Sequence, residues 1–71
     1  MNSFTREMDQ RTSHGHHHEV LSSGSFAAEY RCYDINDNFK MIDRRRFTGE
    51  TALMDAERCF MDAVTKEVFL T

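Results

Sequence analysis

Four histidines fall within five consecutive positions of the chain, in the segment His14-Gly15-His16-His17-His18. Neutral imidazole is a common ligand of Zn²⁺ and Ni²⁺, and a carboxylate, Glu19, follows at once. A folded zinc site takes four ligands from pairs that are well separated in the sequence, whereas these histidines are bunched and neither cysteine is near them. We therefore interpret the cluster as solvated. The open alternatives are loose zinc or nickel binding, or a pH-dependent contact, at His14, His16, His17 and His18.

The sequence shows no residue pattern that is typical of an enzyme. Its three glycines, Gly15, Gly24 and Gly49, are scattered, so the sequence lacks a glycine-rich phosphate-binding loop. Cys32 and Cys59 occupy positions that we predict to be buried, while the histidines lie in a segment that we predict to be mobile. Because a nucleophile needs a base held against it, we expect no catalytic residues and no resident cofactor.

Length and charge narrow the class of protein further. A chain of 71 residues forms at most one domain, and so small a core commonly needs a metal, a disulfide or a partner for stability. The net charge of −3 is mild. No apolar stretch has the length of a membrane span or of a secretory signal, so we expect a cytoplasmic protein with reduced thiols and no membrane contact.

The chain divides into two regions near residue 25. Residues 1–25 are polar and show no periodicity, which predicts a flexible, His-rich N-terminal arm. From residue 26 the pattern alternates and places Phe26, Ala28, Tyr30 and Cys32 on one face of a strand. The turn-forming residues 35–38 separate this strand from a second one over residues 39–47. We therefore predict a β-hairpin whose second strand contributes Phe39, Met41 and Phe47 to the core.

A helix is predicted to follow this hairpin. Thr51 is the expected N-cap, and Ala52 to Thr65 contain no glycine or proline. A broad apolar stripe, suited to cover the hairpin, consists of Ala52, Leu53, Ala56, Cys59, Phe60, Ala63 and Val64. The tail, residues 67–71, either extends the helix or forms a third strand, which we favour. The predicted fold class is α+β: a mini-domain over residues 26–71 with the order ββα, or ββαβ if the tail is a strand.

Two surfaces of this mini-domain are candidates for partner binding. Met54 and Met61 lie outside the apolar stripe, beside Arg58, and methionines suit adaptable contacts. On the uncovered side of the hairpin we expect a basic strip made of Arg31, Tyr33, Lys40, Arg44 and Arg46. This strip favours an acidic protein partner, with RNA or a single strand as the alternative. Glu29 and Asp43 would partly neutralise it, which leaves a simple solvated face as a further alternative.

The segment Phe47-Thr48-Gly49-Glu50-Thr51 with the following Asp55-Ala56 resembles the strand-to-helix corner of HicB-type antitoxins, with an extra residue before Asp55-Ala56. Any ββα unit with a threonine cap produces a similar corner, so this resemblance identifies no family. Small ββα proteins of mobile elements, including phage inhibitors of host defence, share the coarse architecture. We predict a non-enzymatic protein-binding regulator or inhibitor that forms a homodimer or joins a complex.

Overall fold

The computed structural model describes residues 4–69, and the side chains of residues 8–67. The order of elements is β1 (Phe4–Arg11), β2 (His16–Ser23), β3 (Ala27–Asp34), a 3-10 turn (Ile35–Asp37), β4 (Lys40–Thr48) and α1 (Ala52–Phe69). The strands form one antiparallel sheet in the order β1-β2-β3-β4, so each strand pairs with its neighbours in the sequence. Helix α1 packs on one face of this sheet, against β2, β3 and β4.

The predicted α+β class is confirmed, and the hairpin β3–β4 forms at the predicted place. The sheet nevertheless has four strands where two were predicted. Residues 4–11 and 16–23, which the sequence predicts to lie in a flexible arm, form β1 and β2 instead. The side chains of β2 do alternate between the two faces of the sheet. Its inward positions, however, hold histidine and serine as well as Val20, so the sequence does not show the usual alternation of apolar and polar residues.

The core lies between α1 and the middle strands. Val20 from β2 and Tyr30 from β3 are buried against Ala52, Ala56 and Phe60 of the helix. The apolar stripe predicted for the helix is confirmed, since its other members are partly buried and pack against the same cluster. Phe26 does not join them: it precedes β3 and is 59% exposed.

The turn between β3 and β4 explains a second difference from the prediction. The Asp34 carboxylate accepts a hydrogen bond from the Asn36 amide at 3.0 Å, and the chain then reverses through left-handed conformations at Asn38 and Phe39. An irregularity in the pairing follows, between Cys32 and Tyr33 of β3. This shift breaks the alternation of β4, so Phe39 and Met41 are exposed and only Phe47 packs against the core.

The predicted third strand at the C-terminus is wrong within the described residues, because α1 continues to Phe69. Residues 70 and 71 lie outside the described part of the chain. The helix begins directly after Thr51, as predicted, and the Thr51 hydroxyl donates to the Asp55 carboxylate at 2.9 Å. Because the helix continues to Phe69, Glu67 lies over β2 and contacts His18. Among residues 4–69, no helix combines the length and the apolar character of a membrane-spanning segment.

Candidate metal centre

Four side chains with metal-binding atoms converge between the sheet and the last turns of α1. Successive residues of a strand point to opposite faces, so His16 and His18 both lie on the helix-bearing face of β2. Cys32 is the direct cross-strand partner of His18 on β3, and Glu67 approaches from the helix. One ligand atom from each of these four residues lies within 4.8 Å of all the others.

The Glu67 carboxylate is the centre of this cluster. Its Oε1 atom lies 2.5 Å from Nδ1 of His16 and 2.8 Å from Nε2 of His18. Its other oxygen, Oε2, accepts a hydrogen bond from the Thr12 hydroxyl at 2.6 Å. The two imidazole rings meet edge to face, with centroids 6.1 Å apart. Both rings therefore present a nitrogen to the same small volume.

A second layer of polar groups holds these side chains in place. Nδ1 of His18 lies 2.9 Å from the buried Tyr30 hydroxyl, and its other ring nitrogen faces Glu67. A tyrosine hydroxyl can donate or accept, so Tyr30 satisfies Nδ1 in either tautomer of His18. Histidines that bind metals commonly have their second nitrogen fixed in this way, and ligating carboxylates are also hydrogen-bonded, as Glu67 is by Thr12.

The environment acts differently on the two ionisable ligands of the cluster. Burial raises the pKa of Glu67, but hydrogen bonds from Thr12, His16 and His18 outweigh it and leave the pKa below its usual value. Burial raises the pKa of the Cys32 thiol, and the nearby Glu67 carboxylate adds to this effect, while a hydrogen bond with Tyr30 opposes it. Glu67 is thus already a carboxylate at neutral pH, whereas Cys32 must lose a proton before its sulfur can bind a metal.

This donor set is typical of a transition-metal site. Two imidazoles, one thiolate and one carboxylate match the borderline ligand preference of Zn²⁺, for which four protein ligands in a tetrahedron are the usual structural arrangement. Tetrahedral ligands lie about 3.5 Å apart, so the widest separation of 4.8 Å must shorten, and the contacts of Glu67 with His16 and His18 at 2.5 and 2.8 Å must lengthen, when an ion enters. Zn²⁺ with one thiolate and one carboxylate would also be neutral overall, which suits a half-buried position.

The structure divides the four predicted histidine ligands. His16 and His18 lie in the cluster, and His14, in the β1–β2 turn, is at its rim with Nδ1 4.0 Å from a Glu67 oxygen. His17 lies on the opposite face of the sheet, because it alternates with its neighbours on β2. There it is buried beside the rings of Tyr33 and Phe39, with Nε2 3.3 Å from Glu19.

Sequence reasoning did not predict Cys32 and Glu67 as partners of the histidines. Cys32 was predicted to be a buried core residue, which it is, but with its sulfur next to the cluster. Glu67 lies 49 positions from His18 and was predicted to be in a third strand. The available signal was the alternation of His16 and His18 on β2, which would have indicated a strand with both imidazoles on one face.

The cluster lies at one end of an open groove of about 850 Å³ between α1 and strands β3 and β4. The walls carry charges of both signs, from Asp43 and Arg45 on β4 and from Arg58 and Asp62 on the helix. Apolar side chains, among them Phe47, line the rest of it. One side of the metal-binding cluster is therefore reachable from solvent.

The predicted basic strip lies on the uncovered face of the sheet, where three of its arginines share one carboxylate. The buried Glu29 carboxylate receives the guanidinium groups of Arg31 and Arg44 at 2.7 Å each and that of Arg46 at 3.3 Å. The pKa of Glu29 is raised by burial and lowered more strongly by these arginines, so it lies below its usual value. Glu29 carries one negative charge against three guanidinium groups, so it pairs these arginines without cancelling their charge.

The remaining predicted contact residues are placed as follows. Tyr33 lies on the same face and donates to Glu19 at 2.7 Å. The pairing irregularity puts Lys40 opposite Asp34, out of line with Arg44 and Arg46. Met54 and Met61 are 57% and 55% exposed on α1, and Arg58 is exposed between them. The proposed binding role of these residues stays a prediction.

Comparison with known proteins gives no relative: neither a family model, nor a curated protein, nor a solved structure matches this chain. The resemblance to HicB-type antitoxins is thus confined to the short corner at residues 47–56. Function must be inferred from the site itself.

Proposed function

We propose that this protein is a metal-binding mini-domain, whose site is of the mixed nitrogen, sulfur and oxygen class. The observation that carries the proposal is the convergence of His16, His18, Cys32 and Glu67 within 4.8 Å. The hydrogen bond between Nδ1 of His18 and the Tyr30 hydroxyl, and the one that Thr12 donates to Glu67, support it, because metal ligands are commonly held by such a second layer.

The metal is Zn²⁺. A thiolate together with two imidazoles disfavours Mg²⁺ and Ca²⁺, which prefer oxygen ligands. Four protein ligands indicate a site that stabilises the fold, since catalytic zinc sites usually keep one position for water or substrate. The ion would join β2, β3 and the end of α1, and so supply the cross-link that a small core commonly needs.

The test is a zinc titration of the chelator-treated, reduced protein in competition with a chromogenic chelator. We expect one zinc ion per chain for the wild type, and a loss of affinity of at least tenfold for His18→Ala. His17→Ala is the matched control, because His17 is the neighbouring buried histidine on the other face. It removes an imidazole without removing a ligand.

Three results would contradict the proposal. The first is a wild type that takes up no stoichiometric zinc. The second is an equal loss of zinc affinity in His18→Ala and His17→Ala, and the third is a loss of affinity confined to His17→Ala. Equal losses would mean that the histidines bind zinc as a loose cluster, which is one of the alternatives that the sequence alone leaves open. A loss confined to His17→Ala would place the ion on the other face of the sheet.

Protein binding is a second candidate function, and the exposure of Met54 and Met61 on the outer side of α1 favours it. Charge on the opposite face also favours it, since three arginines share one carboxylate there and these four side chains keep a net positive charge. If α1 is the contact surface, Met54→Asp with Met61→Asp will abolish capture of a partner and leave the far-UV circular dichroism spectrum unchanged. Capture that survives this double change would exclude the helix surface.

A further inference from the structure

The face of the sheet that α1 leaves uncovered holds a cluster of three arginines around one buried carboxylate. Arg44 of β4 lies opposite Arg31 of β3, and Arg46 lies opposite Glu29, so the four side chains share this face. Each guanidinium group contacts Glu29 through its Nε atom. These contacts leave the outer nitrogens of Arg44 and Arg46 for a ligand, and the two side chains are 47% and 73% exposed.

The charge of this face differs from that of the helix. Among residues 8–67, the strands place four arginines on the uncovered face, since Arg11 of β1 joins the cluster of three, together with the carboxylates of Asp9, Glu19 and Glu29. Glu19 lies 3.7 Å from Arg31, and Asp9 is on β1. Helix α1, on the other side, carries four carboxylates and only two basic residues. The helix therefore accounts for most of the net charge of −3, and the uncovered face stays basic at the arginines.

Aromatic rings lie beside the arginines on the same face. The ring of Tyr33, two residues after Arg31 on β3, has its centroid 6.5 Å from that of Phe39 and 5.8 Å from that of His17. Phe39 is 43% exposed, and the guanidinium carbon of Arg11 lies 5.4 Å from its ring centroid. Nucleic-acid bases stack on aromatic rings and on guanidinium planes, so this end of the face offers a stacking surface.

We propose that the uncovered face binds single-stranded nucleic acid, with phosphates at Arg31, Arg44 and Arg46 and a base on the rings of Phe39 and Tyr33. Residues two apart on a strand are about 7 Å apart, so a nucleic-acid strand laid along β3 reaches both the arginines and the rings.

The rings decide between the possible partners of this face. Charge alone suits an acidic protein equally well, but an acidic side chain has no flat ring to stack on Phe39. A duplex keeps its bases stacked inside its own helix, whereas the bases of a single strand are available to the rings. The surface lies on the face opposite to the metal centre, so the inference does not rest on zinc binding.

The test is a fluorescence anisotropy titration with a labelled oligothymidylate of about 12 nucleotides, at several salt concentrations. Three phosphate contacts predict that the logarithm of the affinity falls against the logarithm of the salt concentration with a slope of about −2. An abasic strand of the same length and a poly-glutamate of the same charge are the comparison ligands. Both should bind at least about fivefold more weakly, because neither has a base to stack.

Two pairs of variants locate the binding surface. Arg44→Gln should lower the affinity and make the salt slope shallower by about 0.7, which is the contribution of one phosphate contact. Arg45→Gln is the matched control and should change neither quantity, because Arg45 is the next residue of β4, lines the groove on the other side and is 63% exposed.

The second pair tests the rings. Phe39→Ala should weaken binding of the oligothymidylate by at least about fivefold and leave binding of the abasic strand unchanged. Phe26→Ala is its control, since Phe26 is 59% exposed and lies before β3, outside the ring contacts. Circular dichroism checks that each variant is folded.

A wild type that binds no oligothymidylate at about 0.1 mM protein in low salt overturns the proposal. Equal affinities for the oligothymidylate and the abasic strand would overturn it too, since the rings would then bind no base. Poly-glutamate that binds as tightly as the oligothymidylate would assign the face to an acidic protein instead. An equal loss of affinity in Arg45→Gln and Arg44→Gln would contradict the placement on the uncovered face.

Discussion

Among single residues, Glu67 has the largest influence on how the candidate site is built. Its two oxygens contact His16, His18 and Thr12, and these contacts join the end of α1 to β2 and the turn before it. The sequence left metal binding by the histidines open as an alternative to a solvated cluster, and it did not indicate their partners. A carboxylate 49 positions away enters the site only after the helix has packed on the sheet.

Tyr30→Phe tests the layer that supports the ligands. This change removes the hydroxyl beside Nδ1 of His18, so we expect zinc affinity to fall by about 10- to 100-fold. Tyr33→Phe is the control, because it also removes a hydroxyl that is hydrogen-bonded, to Glu19, but on the other face of the sheet. A competition titration compares the two, and equal affinities would show that Tyr30 has no role at the metal.

Glu29 gives a prediction for the dependence of stability on pH. Its pKa in the folded protein lies below the ordinary glutamate value of 4.5, so folding favours the ionised carboxylate. The stabilisation is therefore complete above about pH 4.5 and is lost as the pH falls through the lowered folded pKa. We expect Glu29→Gln to lower the free energy of unfolding by about 1 kcal/mol at neutral pH. The free energy of unfolding of this variant should also fall less steeply as the pH is lowered below 4.5.

Urea unfolding of metal-free protein at several pH values measures this effect. Glu50→Gln, at an exposed position before α1, is the control. If the free energy of unfolding falls as steeply at acid pH in Glu29→Gln as in the wild type, the three arginines do not stabilise the carboxylate.

At the scale of elements, local pattern and turn chemistry predicted β3, β4 and most of α1. The Asn/Asp turn and the stripe containing Ala56 and Phe60 are signals that do not depend on distant residues. β2 was missed because its inward positions hold polar side chains, such as His18 and Ser22, whose burial depends on contacts that only the fold supplies. For the tail, extension of the helix was one of the two alternatives, and the third strand was favoured because β-branched and aromatic residues have no local preference for a helix.

The β1–β2 turn provides a prediction for the element that positions the histidines. Gly15 has a φ of 84°, and a Cβ placed there would collide with the Asn36 side chain. Gly15→Ala should therefore cost about 1–2 kcal/mol of backbone strain, plus whatever displacing the exposed Asn36 side chain adds, and it should also weaken zinc binding, because His14 and His16 flank this residue.

Gly24→Ala is the comparison for this prediction. Gly24 also has a positive φ, 78°, but open space surrounds it, so only the backbone strain of about 1–2 kcal/mol applies. Chemical denaturation gives both values. Equal losses would show that the contact with Asn36 does not restrict this turn.

At the scale of the whole molecule, a four-stranded sheet is covered on one face by one helix. On the uncovered face, Leu21 and Glu29 are nevertheless buried. Long side chains such as Arg31, which pairs with Glu29, cover part of this face. A fold with so thin a core should respond strongly to a bound ion.

We therefore expect zinc to raise the melting temperature. A ligand at about 100 times its Kd adds about 2.7 kcal/mol, which is roughly 10–20 °C for a domain of this size. Scanning calorimetry with zinc and then with excess chelator measures the shift. A melting temperature that does not respond to zinc would mean that the ion has no part in the stability of the fold.

The most direct measurement is the absorption spectrum of the Co²⁺-substituted protein, compared among the wild type, Cys32→Ser and Cys59→Ser. Cys59 is the matched control, since it too is a free, partly buried cysteine that lines the groove but lies outside the four-residue cluster. We predict tetrahedral d–d bands and a thiolate-to-cobalt charge-transfer band in the wild type and in Cys59→Ser. In Cys32→Ser the charge-transfer band should be lost. A wild-type spectrum without that band, or a band that persists in Cys32→Ser, would contradict the proposed site.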